Sequence, residues 1–276
     1  MDKAGSNRQY YRLHGERSIV GVIGESREEN DAFIYMARHF REQGLSVPEV
    51  FGVSEDHMAY IQEDLGKKPE NILWNKIRRS SITHAFTSGE KELLCRTMRD
   101  LVDIQFKGAQ GFDYDNCYPA KCFDERSIKW DLNYFKYCFL KATGVVFNEA
   151  KLENDFERLT QDLLAVPSET FMYRDFQSRN VMLVGDADHP ADCKLAFIDF
   201  QGGRRGPFYY DVASFVWQAR AKYPEELKKE LVEAYLGKLK EYLPDIDEKE
   251  FYSNLRLFVL FRTLQVLGAY GFRGYF

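Results

Sequence analysis

The sequence predicts an α+β protein of two lobes, a small β-rich one over residues 1–65 and a larger, mostly helical one over residues 66–276. Three observations predict it. Short apolar runs of strand length, separated by turn residues, crowd the first 65 residues. Apolar residues at helical spacing dominate beyond Gly66. Three brief apolar runs, each flanked by turns, then interrupt the helical part between residues 170 and 198.

In chain order, Gln9 to Leu13 and Ser18 to Ile23 read as a hairpin joined at His14-Gly15-Glu16-Arg17. Ser26-Arg27-Glu28-Glu29 has the form of a capping box, and Phe33, Met36, Ala37 and Phe40 follow at helical spacing until Gly44. Val47 to Val53 and His57 to Gln62 read as two further strands around Ser54-Glu55-Asp56, ending in Glu63-Asp64-Leu65-Gly66. Later helices are marked by Leu94, Met98, Leu101 and Gln105, by Trp130 to Leu140, and by Leu152, Phe156, Leu159 and Leu163. The interrupting runs are Thr170 to Tyr173, Asn180 to Val184 and Leu195 to Ile198, and helices resume from about Asp211 to Gly268.

Composition excludes several classes. With 45% hydrophobic residues the chain can bury a sizeable core, and 38 Lys+Arg against 43 Asp+Glu give no support to nucleic-acid binding. The polar start lacks the apolar stretch of a signal peptide, and no later run reads as long enough to span a membrane. A cytoplasmic protein without a membrane partner is the expectation. Five widely spaced cysteines without a C-x-x-C pair read as reduced packing thiols. The histidines are scattered: His14 and His189 fall in turns, and His39, His57 and His84 have no partners at ligand spacing. Gly66-Lys67-Lys68 lacks the first glycine and the hydroxyl of a P-loop.

The chemistry concentrates between the interrupting runs. Arg174-Asp175-x4-Asn180 lies on a tight loop between two strand-like segments, which fixes Asp175 and Asn180 relative to each other. Asp199 ends the apolar run Leu195 to Ile198, where a carboxylate has no packing purpose. Phosphoryl transfer to an alcohol needs an aligned hydroxyl, a nearby base and Mg²⁺ bridging the phosphate oxygens. Asp175 as base with Asn180 and Asp199 as hard oxygen ligands of Mg²⁺ fits that need. As ordinary residues, Asp175 and Asn180 would be turn formers and Asp199 a cap.

With these motifs the chain resembles the aminoglycoside phosphotransferase and choline-kinase branch of the protein-kinase-like fold, over nearly its whole length. Within that branch it is most similar to bacterial kinases of the anomeric hydroxyl of N-acetylmuramate and N-acetylglucosamine. Gly5-Ser6-Asn7-Arg8-Gln9-Tyr10-Tyr11-Arg12, Glu63-Asp64-Leu65-Gly66, Ile198-Asp199-Phe200-Gln201, Tyr210-Asp211 and Arg262-Thr263-Leu264-Gln265 carry the resemblance. It implies ATP as co-substrate, Ser6, Asn7, Arg8 and Arg12 near its phosphates, and backbone groups around Glu63 and Leu65 on adenine. It also implies that Asp211 braces the catalytic loop, the alternative being a helix N-cap.

The sequence departs from that pattern in two places. Ser18 to Gly24, the strand that usually carries a phosphate-binding lysine, holds none, so Arg8 or Arg12 is expected to supply the charge. Glu28 and Glu29, which would pair with that lysine, read as first-turn acids favoured by the helix dipole. Tyr173 stands where many members of the family it resembles have histidine. The expected acceptor site draws on Asp131, Arg204, Arg262 and Gln265, and the two arginines after Asp199 suit an anionic or neutral acceptor better than a polycationic aminoglycoside. The missing lysine also leaves open a silent nucleotide-binding module. The aromatic end Gly271 to Phe276 fits either a docking tail or a chain continuing into a further C-terminal domain.

Overall fold

The computed structural model describes residues 8–15, 18–66, 71–185 and 192–274. Ser6, Asn7 and His189 lie outside them. Strands β1 (Gln9–His14) and β2 (Ser18–Ile23) form the expected hairpin, and β3 (Val50–Val53) and β4 (Ala59–Glu63) complete an antiparallel sheet in the order β1-β2-β4-β3. The register sets Tyr10 opposite Val22, Arg12 opposite Val20 and Val22 opposite Tyr60. Partners across a ladder share a face, so Tyr10, Arg12, Val20, Val22 and Tyr60 line the inner one. Tyr11, Leu13 and Ile23 lie exposed on the outer one.

Helix α1 (Arg27–Glu42) buries Phe33, Met36, Ala37 and Phe40, the residues its spacing marked. Phe33 stacks on Tyr60 of the sheet at 5.0 Å and on Phe200 at 5.1 Å, and Phe40 meets Phe171 edge-on at 4.9 Å. Each such pair adds about 1 kcal/mol beyond its buried area. Through these rings α1 joins the sheet to the strands that frame the catalytic loop. The helix ends at Gly44, whose φ of +73° is the left-handed conformation a Cβ disfavours.

The capping box forms only in part. Ser26 accepts the Glu29 amide at 3.2 Å, but Ser26 Oγ donates to Glu28 at 2.9 Å while the Glu29 carboxylate turns to Arg8. The ion pair with a buried guanidinium outweighs a local cap.

Beyond the sheet come α2 (Leu73–Thr83), α3 (Ser88–Lys107), α4 (Glu125–Phe135) with a π turn at Lys136–Leu140, α5 (Glu149–Leu164), α6 (Tyr209–Val216), α7 (Glu225–Leu239) and α8 (Glu248–Phe272). Two small antiparallel ladders sit among them, β5 (Thr170–Met172) with β8 (Arg204–Gly206) and β6 (Val181–Val184) with β7 (Lys194–Phe197). Neither β8 nor α2 was expected. Arg204-Arg205-Gly206 offers no apolar run, and α2 buries two serines among only four residues.

By length and composition α8 could cross a membrane, where the sequence reading found no such run. Here it packs through Phe251, Leu255, Phe258 and Phe261, against α4 and α6 among others. At Gly271 the approach is so close that a Cβ would collide with the Cys138 carbonyl. All five cysteines are free thiols.

Candidate active site

The catalytic loop leaves β5 with its backbone tied to α6. Asp211, fully buried in the first turn of that helix, accepts the amides of Tyr173 at 2.8 Å and Arg174 at 2.9 Å. Gln105 of α3 donates to the same carboxylate at 3.1 Å. Burial pushes the Asp211 carboxyl up to about 6, with these donors holding it back. The helix N-cap is Phe208, so Asp211 does not cap α6. Its two amide bonds secure Arg174 at a φ of +81°, which costs a residue with a Cβ about 1 kcal/mol or more. Tyr173 donates its hydroxyl to the Ile198 carbonyl at 2.5 Å and so joins the loop to the strand end before Asp199.

Asp175, Asn180 and Asp199 converge. Asn180 Nδ2 lies 2.8 Å from the Asp175 carbonyl and 3.3 Å from carboxylate oxygens of both Asp175 and Asp199. Three acceptors draw the amide nitrogen toward both carboxylates, so holding one cation between Oδ1 and Asp199 takes a turn of the Asn180 amide. Asp175 also accepts Gln177 at 2.6 Å and Arg179 at 2.6 Å, and about a third of its side chain stays exposed. Asp199 has a φ of +69°, and Gln201 Nε2 donates to its Oδ1 at 2.9 Å. An amide oxygen and a carboxylate are hard donors that suit Mg²⁺, which takes its remaining ligands from phosphates and water. No cluster of three or more His, Cys, Asp or Glu forms a metal cage among the described residues.

The two candidate phosphate arginines part ways. Arg12 Nε and Nη2 bind Asp64 at 2.8 and 3.1 Å, and Nη2 also reaches the Gly66 carbonyl at 2.7 Å. Burial alone would raise the Asp64 carboxyl, but Arg12, Ser18 and the Gly66 amide hold it below the usual aspartate range. Arg12 is therefore a hinge residue; its bidentate partner sits 52 positions on. Glu63 ends β4 opposite Ile19 of β2, and Leu65 is half-buried beside that hinge.

Arg8 is buried against the inner face. Its Nη2 lies 3.2 Å from the Glu29 carboxylate and 3.1 Å from the Glu29 carbonyl, and its guanidinium sits 5.6 Å from the Phe33 ring. Burial raises the Tyr10 phenol; Arg8 opposes the shift while Asp199 and Glu29 add to it, so one ring senses all three charges. Arg8 thus lies on the side of the sheet that faces Asp199, where β2 offers Ser18, Val20 and Val22 and no cation.

The four acceptor candidates cluster around Arg174 and Tyr210. Arg174 Nη2 binds Asp131 at 2.8 Å, Gln265 donates to Asp131 at 3.3 Å, and Tyr210 donates to Gln265 at 3.2 Å. Arg262 binds Ser214 at 2.6 Å and also Gln265. The guanidiniums of Arg174 and Arg262 lie 5.1 and 5.5 Å from the Tyr210 ring. Arg204 is buried beside them, and burial followed by repulsion from Arg174 lowers its pKa. Arg174 Nη1 is buried with no hydrogen-bond partner among the described residues.

Sequence reasoning missed Glu29, Gln201, Gln177, Arg179, Asp64 as an ion-pair partner, and Gln105. Gln177 and Arg179 stand inside the Arg-Asp-x4-Asn motif and were visible as polar loop positions.

A β sheet and helix over a helical body, with two carboxylates and an amide meeting between them, match the protein-kinase-like fold. Residues 3–249 match the model of the phosphotransferase enzyme family, and the chain belongs to that family. It is 26% identical over 232 residues, 82% of this chain and 63% of the relative, to an N-acetylmuramate/N-acetylglucosamine kinase of Neisseria meningitidis serogroup B. A protein of the same name from Pseudomonas aeruginosa is 24% identical over 80% of this chain and 59% of its own length. The chain therefore spans about three-fifths of these relatives. Among solved structures, the GDP complex of wild-type aminoglycoside 2'-phosphotransferase-IIIa shares the fold with a TM-score of 0.62 at 12% identity, covering 98% of this chain and 84% of that one.

Proposed function

We propose that the chain is an ATP-dependent, Mg²⁺-requiring kinase that phosphorylates a hydroxyl, the anomeric one, of an amino sugar of the N-acetylmuramate and N-acetylglucosamine type. The observation that carries the reading is the single hydrogen-bonded group of Asp175, Asn180 and Asp199. In this reading Asp175 accepts the proton of the acceptor hydroxyl as its oxygen attacks the γ-phosphorus and the bond to ADP breaks. Asn180 Oδ1 and Asp199 would hold Mg²⁺, which supplies charge neutralisation at the phosphate oxygens. Arg8, backed by Glu29, supplies the cation that β2 lacks. The residues 1–65 would cover the nucleotide and the remainder would bind the acceptor.

The acceptor assignment draws support from the named relatives and from the polar wall of Asp131, Arg174, Arg204, Arg262 and Gln265. Such a wall of paired donors and acceptors suits a polyhydroxylated ring.

An ATP-consumption assay with Mg²⁺ and N-acetylmuramate, N-acetylglucosamine, choline or kanamycin, with product NMR, tests this. Turnover with the amino sugars and phosphate on the anomeric carbon is expected. ATP binding without turnover on any acceptor would instead favour a silent nucleotide-binding module. Asp175→Asn should lower kcat by roughly a hundredfold to ten-thousandfold; undiminished turnover would remove Asp175 as the base.

A further inference from the structure

A line of side chains crosses the cleft from the sheet to the metal acid. Arg8 Nη2 meets Glu29 Oε1 at 3.2 Å, Glu29 Oε1 accepts Gln201 Nε2 at 3.4 Å, and the same Nε2 donates to Asp199 Oδ1 at 2.9 Å. We propose that Gln201 is a positioning residue that couples the docking of α1 to the orientation of the Asp199 carboxylate. The metal acid and the phosphate cation Arg8 are then placed together or not at all. The inference rests on the kinase reading above and names how its two charged halves are aligned.

The chemistry of the amide fits this task. An NH₂ group has two hydrogens, and Gln201 directs them at two carboxylates, one on α1 and one at the end of the strand run. Two acids facing each other across the cleft would repel; a neutral double donor between them removes the conflict. Gln201 Oε1 is buried and makes no hydrogen bond among the described residues, so the two acids alone set the direction of the amide. Losing either releases it. Asp199 needs such a restraint, because its φ of +69° is held against the preference of a residue with a Cβ and its other bond, from Asn180, is long at 3.3 Å.

The packing carries the same message. Phe200, between Asp199 and Gln201 in sequence, stacks on Phe33 of α1 at 5.1 Å with the rings 9° from parallel. A shift of α1 therefore moves the residue between the acid and its amide. Glu29, a partner of Arg8 and Gln201 alike, is drawn out of the capping box to serve both.

The test is Mn²⁺ binding by electron paramagnetic resonance in the presence of ATP and without acceptor, on the whole chain. Wild type, Gln201→Ala, Glu29→Ala and the double variant are compared. Each single change should weaken Mn²⁺ binding about tenfold, and the double variant should be no weaker than the worse single one, the mark of a shared coupling. Gln201→Met keeps the volume and removes the hydrogen bonds; it should retain the wild-type melting temperature and still lose affinity, which a packing role would not produce. Gln201→Glu, which sets a third carboxylate beside two others, should bind ATP more weakly than Gln201→Ala.

Single effects that multiply in the double variant, or wild-type Mn²⁺ affinity in Gln201→Met, overturn the coupling. A wild type that binds no Mn²⁺ with ATP overturns it together with the kinase reading. Intact coupling in a protein that phosphorylates no acceptor removes the kinase reading alone, and additive variants of an active kinase remove this inference alone.

Discussion

At the catalytic loop, Asp211 grips the backbone: the amides of Tyr173 and Arg174 end on one buried carboxylate that Gln105 also holds. Across the cleft, the sheet side is joined by side chains, Arg8 to Glu29 and Arg12 to Asp64. A loop held through its amides keeps its shape whatever side chains it presents, which is how Tyr173 can stand in a histidine position and still reach Ile198. A site joined by side chains can change its supplier. In the proposed reading, the guanidinium of Arg8, just before β1, takes the place of a lysine on β2, with Glu29 of α1 as its acid partner.

The largest effect expected from that contrast is at Asp211. Asp211→Asn turns an NH₂ group toward backbone donors and strands at least one of them, a loss of about 3 kcal/mol in stability. The Arg174 turn loosens with it, so kcat should fall as well. The pH dependence has a definite sign. With its pKa raised to about 6, the folded protein holds the Asp211 proton more tightly than the unfolded chain does. This group therefore favours folding most below about pH 4, and its contribution is lost as pH rises through 6, a span on the order of 3 kcal/mol. Melting curves of wild type and Asp211→Asn should diverge as pH falls from 6 to 4. Parallel curves would break the assignment of Asp211 as a buried, backbone-binding acid.

The hinge should respond less, and with the opposite sign. Arg12→Ala leaves the Asp64 carboxylate with Ser18 and the Gly66 amide but no cation, a cost of about 2 kcal/mol at neutral pH. Asp64 is held below its usual pKa, so its contribution is present above about pH 4 and is lost as pH falls below that. Denaturant unfolding of Arg12→Ala should therefore match wild type more closely in acid than at pH 7. A tenfold rise in ATP KM without any loss of stability would instead put Arg12 on the phosphates, as the sequence allowed.

The same contrast explains what was legible in the sequence. That Asp175, Asn180 and Asp199 come together could be read because backbone-held loops keep their polar residues close in sequence and framed by strands. The hairpin and α1 were readable from periodicity for the same local reason. Arg12 could not be separated from Arg8, because the deciding partner is far along the chain. Glu29 was hidden by a sufficient local explanation, since a glutamate three residues after Ser26 reads as a capping box until a buried arginine claims it. Gln201 carries no charge, so nothing in its type marked it as the link between two acids. Strand β8 was invisible because its pairing with β5, rather than its own side chains, makes it a strand.

The smallest expected effect lies inside the catalytic loop. Arg179 binds Asp175 at 2.6 Å, yet its side chain is 52% exposed, and Gln177 and Asn180 hold the same carboxylate. An exposed pair of this kind contributes roughly 0.5 kcal/mol, so Arg179→Ala should leave the melting temperature nearly unchanged and lower kcat less than tenfold. Gln177→Ala should behave alike. The two together should cost more than the product of the single losses, because Asn180 then holds Asp175 alone and the carboxylate can turn from the acceptor hydroxyl. If Arg179→Ala alone matched Asp211→Asn, the loop would depend on its exposed side chains after all. The difference between a backbone-held and a side-chain-held half of the cleft would then be lost.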